Sequence, residues 1–180
     1  MMINGLNLEA LGAYKATVEK NATNGMYNGG IKATWMGGTK VGVTTNDLTL
    51  GNDTISHDFS FTIDEPEQLL GAHSAPTPQD YMLGGLSGCM MVTFVAMCSL
   101  KGIELESVSL EIKSGLDLQG FLGINETAPV GFDTIEYAFT VKGNGNEIQY
   151  KEAADEVIKF SPNYATMANK VKMIASLNIL

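Results

Sequence analysis

The chain has 180 residues, 44% of them hydrophobic and 17% charged, which is the composition of a folded protein and excludes a disordered one. Its formal charge is −9 and all eleven basic residues are lysines. It therefore lacks the clustered cations that a nucleic-acid partner needs, and it has no arginine to grip an anion with two parallel hydrogen bonds.

The first residues, Met1-Met2-Ile3-Asn4, carry neither a basic region nor an apolar stretch of signal length, so a cytoplasmic protein is expected. Residues 6–20 place Leu8 and Leu11, then Tyr14 and Val18, at helical spacing, which predicts a short amphipathic helix. Asn24-Gly25 and Asn28-Gly29-Gly30 mark turns. From Ile31 to Ile63 the period becomes two. Ile31, Ala33 and Trp35 alternate with polar neighbours, Gly37-Gly38 turns the chain, and Val41 and Val43 follow. After the turn at Gly51-Asn52-Asp53, the residues Ile55, His57, Phe59, Phe61 and Ile63 fall on one face of a longer strand. The pattern predicts an antiparallel meander with one buried face. His57 is then a buried, hydrogen-bonded histidine of the core or an interface, and no metal site is expected around it.

Residues 76–101 are the most informative stretch. Thr77-Pro78-Gln79-Asp80 predicts a helix start: a threonine cap, proline at the first position, and an acid three residues after the cap. Tyr81 to Leu100 then contains no charge, and Gly102 predicts the left-handed stop. Twenty uncharged residues also match the length of a membrane span. Amphipathic strands on both sides and the absence of an aromatic belt favour a helix at the centre of a core, without a membrane. Gly84, Gly85 and Gly88 predict close approach of another element, because glycine inside a helix costs about 1 kcal/mol against alanine.

Cys89 and Cys98 both lie on this helix. Nine residues separate them by about 13 Å along the axis. A disulfide needs Cα atoms within about 7 Å, so an internal bridge is excluded. Small inert core residues and a reactive thiol are both consistent with the pattern.

Further on, Val108, Leu110 and Ile112 predict a strand, and Ile135, Tyr137, Phe139 and Val141 another that ends at Gly143-Asn144-Gly145. Residues 146–159 predict a helix with Ile148, Ala153, Val157 and Ile158 on its apolar side. Ser161-Pro162 predicts the cap of a further short helix. Val171, Met173 and Ala175 predict a last strand. The class is α+β.

Three segments carry a resemblance. The run Ala75-Pro76-Thr77-Pro78-Gln79-Asp80-Tyr81, followed by Leu83-Gly84-Gly85-Leu86-Ser87-Gly88-Cys89-Met90, resembles the central-helix signature of the OsmC/Ohr family. Gly115 to Gly123 (GLDLQGFLG) is similar to a segment of one OsmC-like branch, and Trp35 to Lys40 (WMGGTK) to its first hairpin. The likeness runs from about Ile31 to Met173.

The resemblance implies an OsmC-like fold, with antiparallel sheet wrapped around a long central helix in an intertwined homodimer. The chain would be one such domain, with residues 1–28 a helical extension and 29–176 the core. It also implies reduction of organic hydroperoxides by a cysteine thiolate without cofactor or metal, and Cys89 matches the reacting position. The family's resolving cysteine matches Ser161, its carboxylate matches Gln79, and its arginine falls where this chain has Lys40.

An unassisted cysteine is only a few per cent thiolate at neutral pH, so a single-cysteine thiol activity toward hydroperoxides or other electrophiles is expected in place of an efficient two-cysteine cycle. The alternative is a dimeric binding or structural protein that has lost the chemistry and takes a small apolar ligand.

Overall fold

A computed structural model of the protein describes residues 1–179. Their contacts divide the chain into two compact units, Met1–Gly84 and a second that begins at Gly85.

The first unit opens with a two-residue ribbon, β1 (Met2–Ile3) against β2 (Leu6–Asn7). Helix α1 (Leu8–Lys20) follows, capped by the Asn7 side chain, which accepts from the Ala10 N–H at 3.1 Å. None of its residues is buried. Six short strands come next: β3 (Tyr27–Asn28), β4 (Ile31–Trp35), β5 (Val41–Thr45), β6 (Leu48–Leu50), β7 (Asp53–Ile55) and β8 (Ser60–Ile63). They form two antiparallel sheets, ordered β4-β5-β8 and β3-β6-β7.

Two expectations for this region are corrected. The longer strand over 55–63 is split, so that Ile55 ends β7 in one sheet and Phe61 and Ile63 lie on β8 in the other. Side chains satisfy the backbone where the ladder is broken. The Thr45 hydroxyl bonds the His57 carbonyl, the Phe59 N–H donates to Thr45 Oγ1 at 3.0 Å, and the His57 N–H donates to Asp47 at 3.2 Å. His57 is half-buried, with its ring edge-on to Phe59 at 4.8 Å. The meander also does not bury one whole face, because all five residues of β4 are exposed, including Trp35. Alternation marks the apolar side of a strand but does not supply what covers it.

After β8 the chain passes through a loop organised by Asp64, which is 1% exposed. Its carboxylate accepts from the Thr39 and Ser74 hydroxyls at 2.8 and 2.7 Å and from the N–H groups of Glu65, Ala72 and Ser74. These bonds, led by those from Ser74, hold the Asp64 carboxyl well below the usual carboxylate range. They also hold a loop in which Leu70 and His73 take left-handed backbone angles. The loop delivers Thr77 to the start of the long helix α2 (Pro78–Leu100).

The start is the predicted one. The Thr77 hydroxyl accepts from the Asp80 N–H at 3.2 Å, while the Asp80 carboxylate accepts from the Thr77 N–H and hydroxyl at 2.9 and 2.7 Å. The end is a Schellman turn at Gly102 (φ +73), with Gly102 N–H on Ser99 O and Ile103 N–H on Cys98 O.

In the second unit α2 leads to β9 (Leu105–Ser114), the one-turn α3 (Leu118–Phe121), β10 (Ile135–Gly143), α4 (Glu147–Phe160) and α5 (Pro162–Ala168). Strands β9 and β10 pair antiparallel with Ile112 opposite Tyr137 and Leu110 opposite Phe139. Asn146 and Gln149 form a reciprocal capping box at the start of α4. The core is a stripe of α2 at four-residue spacing, Leu86, Met90, Phe94 and Cys98, packed with Ile103 and with Ala153 and Val157 of α4. The inner faces of β9 and β10 pack against this cluster, and Phe94 stacks on Phe139 at 4.6 Å. Each large apolar side chain so buried stabilises the unit by roughly 1.5–3 kcal/mol.

Two more expectations need correction here. Helix α2 is apolar all round and long enough to cross a membrane, yet only 28% of its most apolar window is buried. Gly84, Gly85, Gly88 and Val92 are exposed, and a Cβ at Gly84 or Gly88 would meet nothing within 4 Å. The glycines therefore do not serve close approach within this chain. The last strand is also absent. Residues 170–179 have no regular secondary structure, and Met173, Ile174, Leu177 and Ile179 are exposed. A strand exists only with a paired neighbour, and among the described residues the pattern at 171–175 has none.

Candidate thiol site

Cys89 lies eleven residues into α2, one position before the buried Met90. The core stripe faces inward at 86, 90, 94 and 98, so residue 89 is carried to the margin of that face. Its side chain is half-buried, whereas Cys98 is fully buried. Burial raises the Cys98 thiol to about 11, more than the nearby Lys101 lowers it.

What meets Cys89 comes from the far end of the second unit. Ser161 ends α4, with its N–H on Val157 O, and also caps α5, with its Oγ accepting from the Tyr164 N–H at 3.4 Å. Pro162 follows at the first helical position, where its missing N–H leaves no bond unmade. This corner places the Ser161 hydroxyl 3.3 Å from Cys89 Sγ and the Asn163 N–H 3.5 Å from it. Because Ser161 Oγ already accepts from Tyr164, its proton is free to point at the sulfur. The Asn163 side chain ties the corner to α2 by donating to Gly85 O at 2.8 Å. The Thr93 hydroxyl bonds the Cys89 carbonyl at 2.9 Å.

Of the four positions singled out in the sequence, the structure brings Cys89 and Ser161 together. Gln79 stands in the first turn of α2, ten residues before Cys89 on the same helix and about 15 Å along its axis. Lys40 closes the Gly37-Gly38 turn through its backbone, donating to Gly37 O and accepting from Met36 N–H. Both belong to the first unit. Asn163 went unnoticed in the sequence, and the only signal for it was its place just after the Ser-Pro cap.

One turn before Cys89, Leu86 lines a cleft of about 240 Å³ with Ile135, Tyr137, Tyr164, Met167 and the carboxylate-bearing Asp133. Burial, followed by the neighbouring Tyr164, pushes the Tyr137 hydroxyl upward. The two rings meet edge-on at 6.2 Å. Apolar groups from Leu86, Ile135 and Met167 share the walls with two phenols, Asp133 and Thr134, a lining that suits a small molecule with both apolar and polar parts. Among the described residues, no group of three His, Cys, Asp or Glu side chains is placed to hold a metal ion.

A family model described as OsmC-like protein matches residues 71–176, more than half of the chain. The chain belongs to the OsmC-like family. Its fold agrees with solved OsmC-like structures, although their sequences are distant. One from Vibrio cholerae, of unknown function, superposes with a TM-score of 0.61 at 11% identity, covering 78% of this chain and 94% of that one. An OsmC-like protein from Mycoplasma pneumoniae gives 0.56 at 20%, covering 79% and 87%. An organic hydroperoxide resistance protein from Legionella pneumophila gives 0.51 at 19%, covering 79% and 90%. Among curated proteins, none matches the chain's sequence significantly. The OsmC-like match includes α2, the corner at Ser161 and the cleft, so the thiol site lies within the matched region.

Proposed function

We propose that this OsmC-like protein is a single-cysteine thiol enzyme in which Cys89 attacks organic hydroperoxides or related electrophiles. The observation that carries the reading is the pair of donors on Cys89 Sγ, the Ser161 hydroxyl and the Asn163 N–H. A thiolate is the attacking form, and an O–H and an N–H presented to the sulfur replace the water that would otherwise solvate its charge. Neither donor introduces a competing negative charge. The cleft lined by Leu86, Ile135 and Met167 offers a partly apolar seat one helical turn along α2 from Cys89.

The reading includes a homodimer. The exposed strip Gly84, Gly88 and Val92 on an otherwise apolar helix is suited to a second copy, since small residues let two backbones approach closely. The test is consumption of cumene hydroperoxide with dithiothreitol. The wild type turns over, and Cys89→Ser loses the activity. An unchanged rate in Cys89→Ser refutes the proposal.

A second reading, a dimeric binding protein without chemistry, is favoured by one observation: the position matched to the family's carboxylate is the uncharged Gln79, and the chain has no arginine. Under that reading Cys89→Ser consumes cumene hydroperoxide no more slowly than the wild type, and Cys89 alkylates no faster than an ordinary free thiol.

A further inference from the structure

The site contains one half of a thiol redox cycle, and the chain does not contain the other. After a hydroperoxide is reduced, the sulfur must be freed of the oxygen it has taken, and within a protein this is done by a second thiol. The chain has two cysteines. Cys98 is nine residues further along the same helix, about 13 Å away along the axis, against the roughly 7 Å that disulfide geometry allows. It is also fully buried and points into the core with Phe94 and Val157. From elsewhere in the unit, the Ser161 side chain hydrogen-bonds to the sulfur at 3.3 Å. It is a hydroxyl, which cannot close a disulfide.

We infer that oxidised Cys89 is resolved by a small monothiol from solution, through a mixed disulfide, and that Ser161 is the residue that makes this so. The inference rests on the proposed thiol function.

The Cys89 thiolate attacks the terminal peroxide oxygen; the S–O bond forms, the O–O bond breaks, and the alcohol leaves with a proton. Sulfur has lost two electrons and is a sulfenic acid. A monothiolate R′S⁻ then attacks Sγ, the S–O bond breaks, and hydroxide leaves and is protonated to water. A second R′S⁻ attacks the R′ sulfur of the mixed disulfide and releases the Cys89 thiolate. In sum, ROOH and two R′SH give ROH, water and R′SSR′. Cys89 is half-buried, not sealed in the core as Cys98 is, so a small thiol can reach it from solution.

The experiment uses the full chain, reduced and freed of thiol, treated with one equivalent of cumene hydroperoxide and then with dimedone or with 2-mercaptoethanol. Intact and peptide masses follow each sample. A dimedone adduct at Cys89, replaced by a 2-mercaptoethanol mixed disulfide at the same residue, is the expected result. Cys98→Ser keeps the monothiol-driven rate within about twofold, as a distant independent site should. Ser161→Cys gives an 89–161 disulfide in place of the mixed one, and 2-mercaptoethanol then drives its turnover less well than dithiothreitol does. A Cys89–Cys98 disulfide in the wild type, within or between chains, overturns the inference. So does a sulfenic acid that the monothiol leaves untouched, although the proposed function then stands. Absence of any adduct at Cys89 overturns both. If Ser161→Cys does not fold, the wild-type and Cys98→Ser samples decide the matter alone.

Discussion

Ser161 has two separable duties, and removing its hydroxyl should show both. As the cap of α5 it accepts from the Tyr164 N–H, and loss of such a cap costs about 1 kcal/mol with alanine but only a few tenths with glycine. As a neighbour of Cys89 it donates toward Sγ at 3.3 Å, and a hydrogen bond to a charged acceptor contributes about 1.5 kcal/mol. That second amount is roughly tenfold in equilibrium, and the weaker nucleophilicity of a hydrogen-bonded thiolate offsets about half of it in the exponent, leaving roughly threefold in rate.

Ser161→Ala should therefore be less stable by about 1 kcal/mol and alkylate roughly threefold more slowly at Cys89. Ser161→Gly should recover most of the stability while keeping the slow alkylation. Ser161→Asp should keep the helix capped and be slowest of all, because it sets a carboxylate beside the sulfur. The assay is the iodoacetamide rate at fixed pH in a Cys98→Ser background, paired with urea unfolding of the same proteins. If Ser161→Gly alkylates at the wild-type rate, the hydroxyl does not act on the sulfur and the argument for the thiol site fails.

Other outcomes follow from the same geometry. Because the Asp64 carboxyl is held below its unfolded value of about 3.9, its contribution is fully present above that pH and is lost on acidification through the lower folded value. Wild-type thermal midpoints should therefore fall more steeply below about pH 4 than those of Asp64→Asn, which starts less stable at pH 7; parallel slopes would contradict this. Cys98, raised to about 11 from 9.0, acts in the opposite range. Between those values the unfolded thiol ionises and the folded one does not, so the wild type should lose more stability across that interval than Cys98→Ala, in which the raised Tyr137 and Lys101 still titrate. Cys98 should also resist iodoacetamide until the protein unfolds. Val92 is 70% exposed on the open strip of α2, so Val92→Glu should stay folded by circular dichroism but sediment as a monomer where the wild type sediments as the proposed dimer; a dimeric Val92→Glu would place the interface elsewhere, and a monomeric wild type would refute the dimer.

Much of the fold could be read from local chemistry. Thr77, Pro78 and Asp80 specify the start of α2 through bonds spanning three residues, and Gly102 specifies its end through a backbone angle that other residues resist. Strands β9 and β10 and helix α4 follow from periodicity because each has one face on the core. The misses share one cause. The split at His57, the exposed β4 and the unpaired 170–179 all depend on which partner a pattern finds, and periodicity does not encode partners. Asp64 also escaped, since its donors lie as far away as Thr39 and Ser74.

The sequence by itself determined that Cys89 stands on a long apolar helix with no second thiol in reach, because helix geometry fixes the distance to Cys98. It also placed a Ser-Pro cap 72 residues later. Only the tertiary structure joined the two. The turn between α4 and α5 brings Ser161 and the Asn163 N–H onto the sulfur, contacts that no spacing along the chain could predict. The resemblance matched Ser161 to the family's resolving position, while the residues themselves offered Cys89 no identifiable donor. The structure shows that its donors come from the first turn of another helix, because packing joins residues that the chain keeps apart.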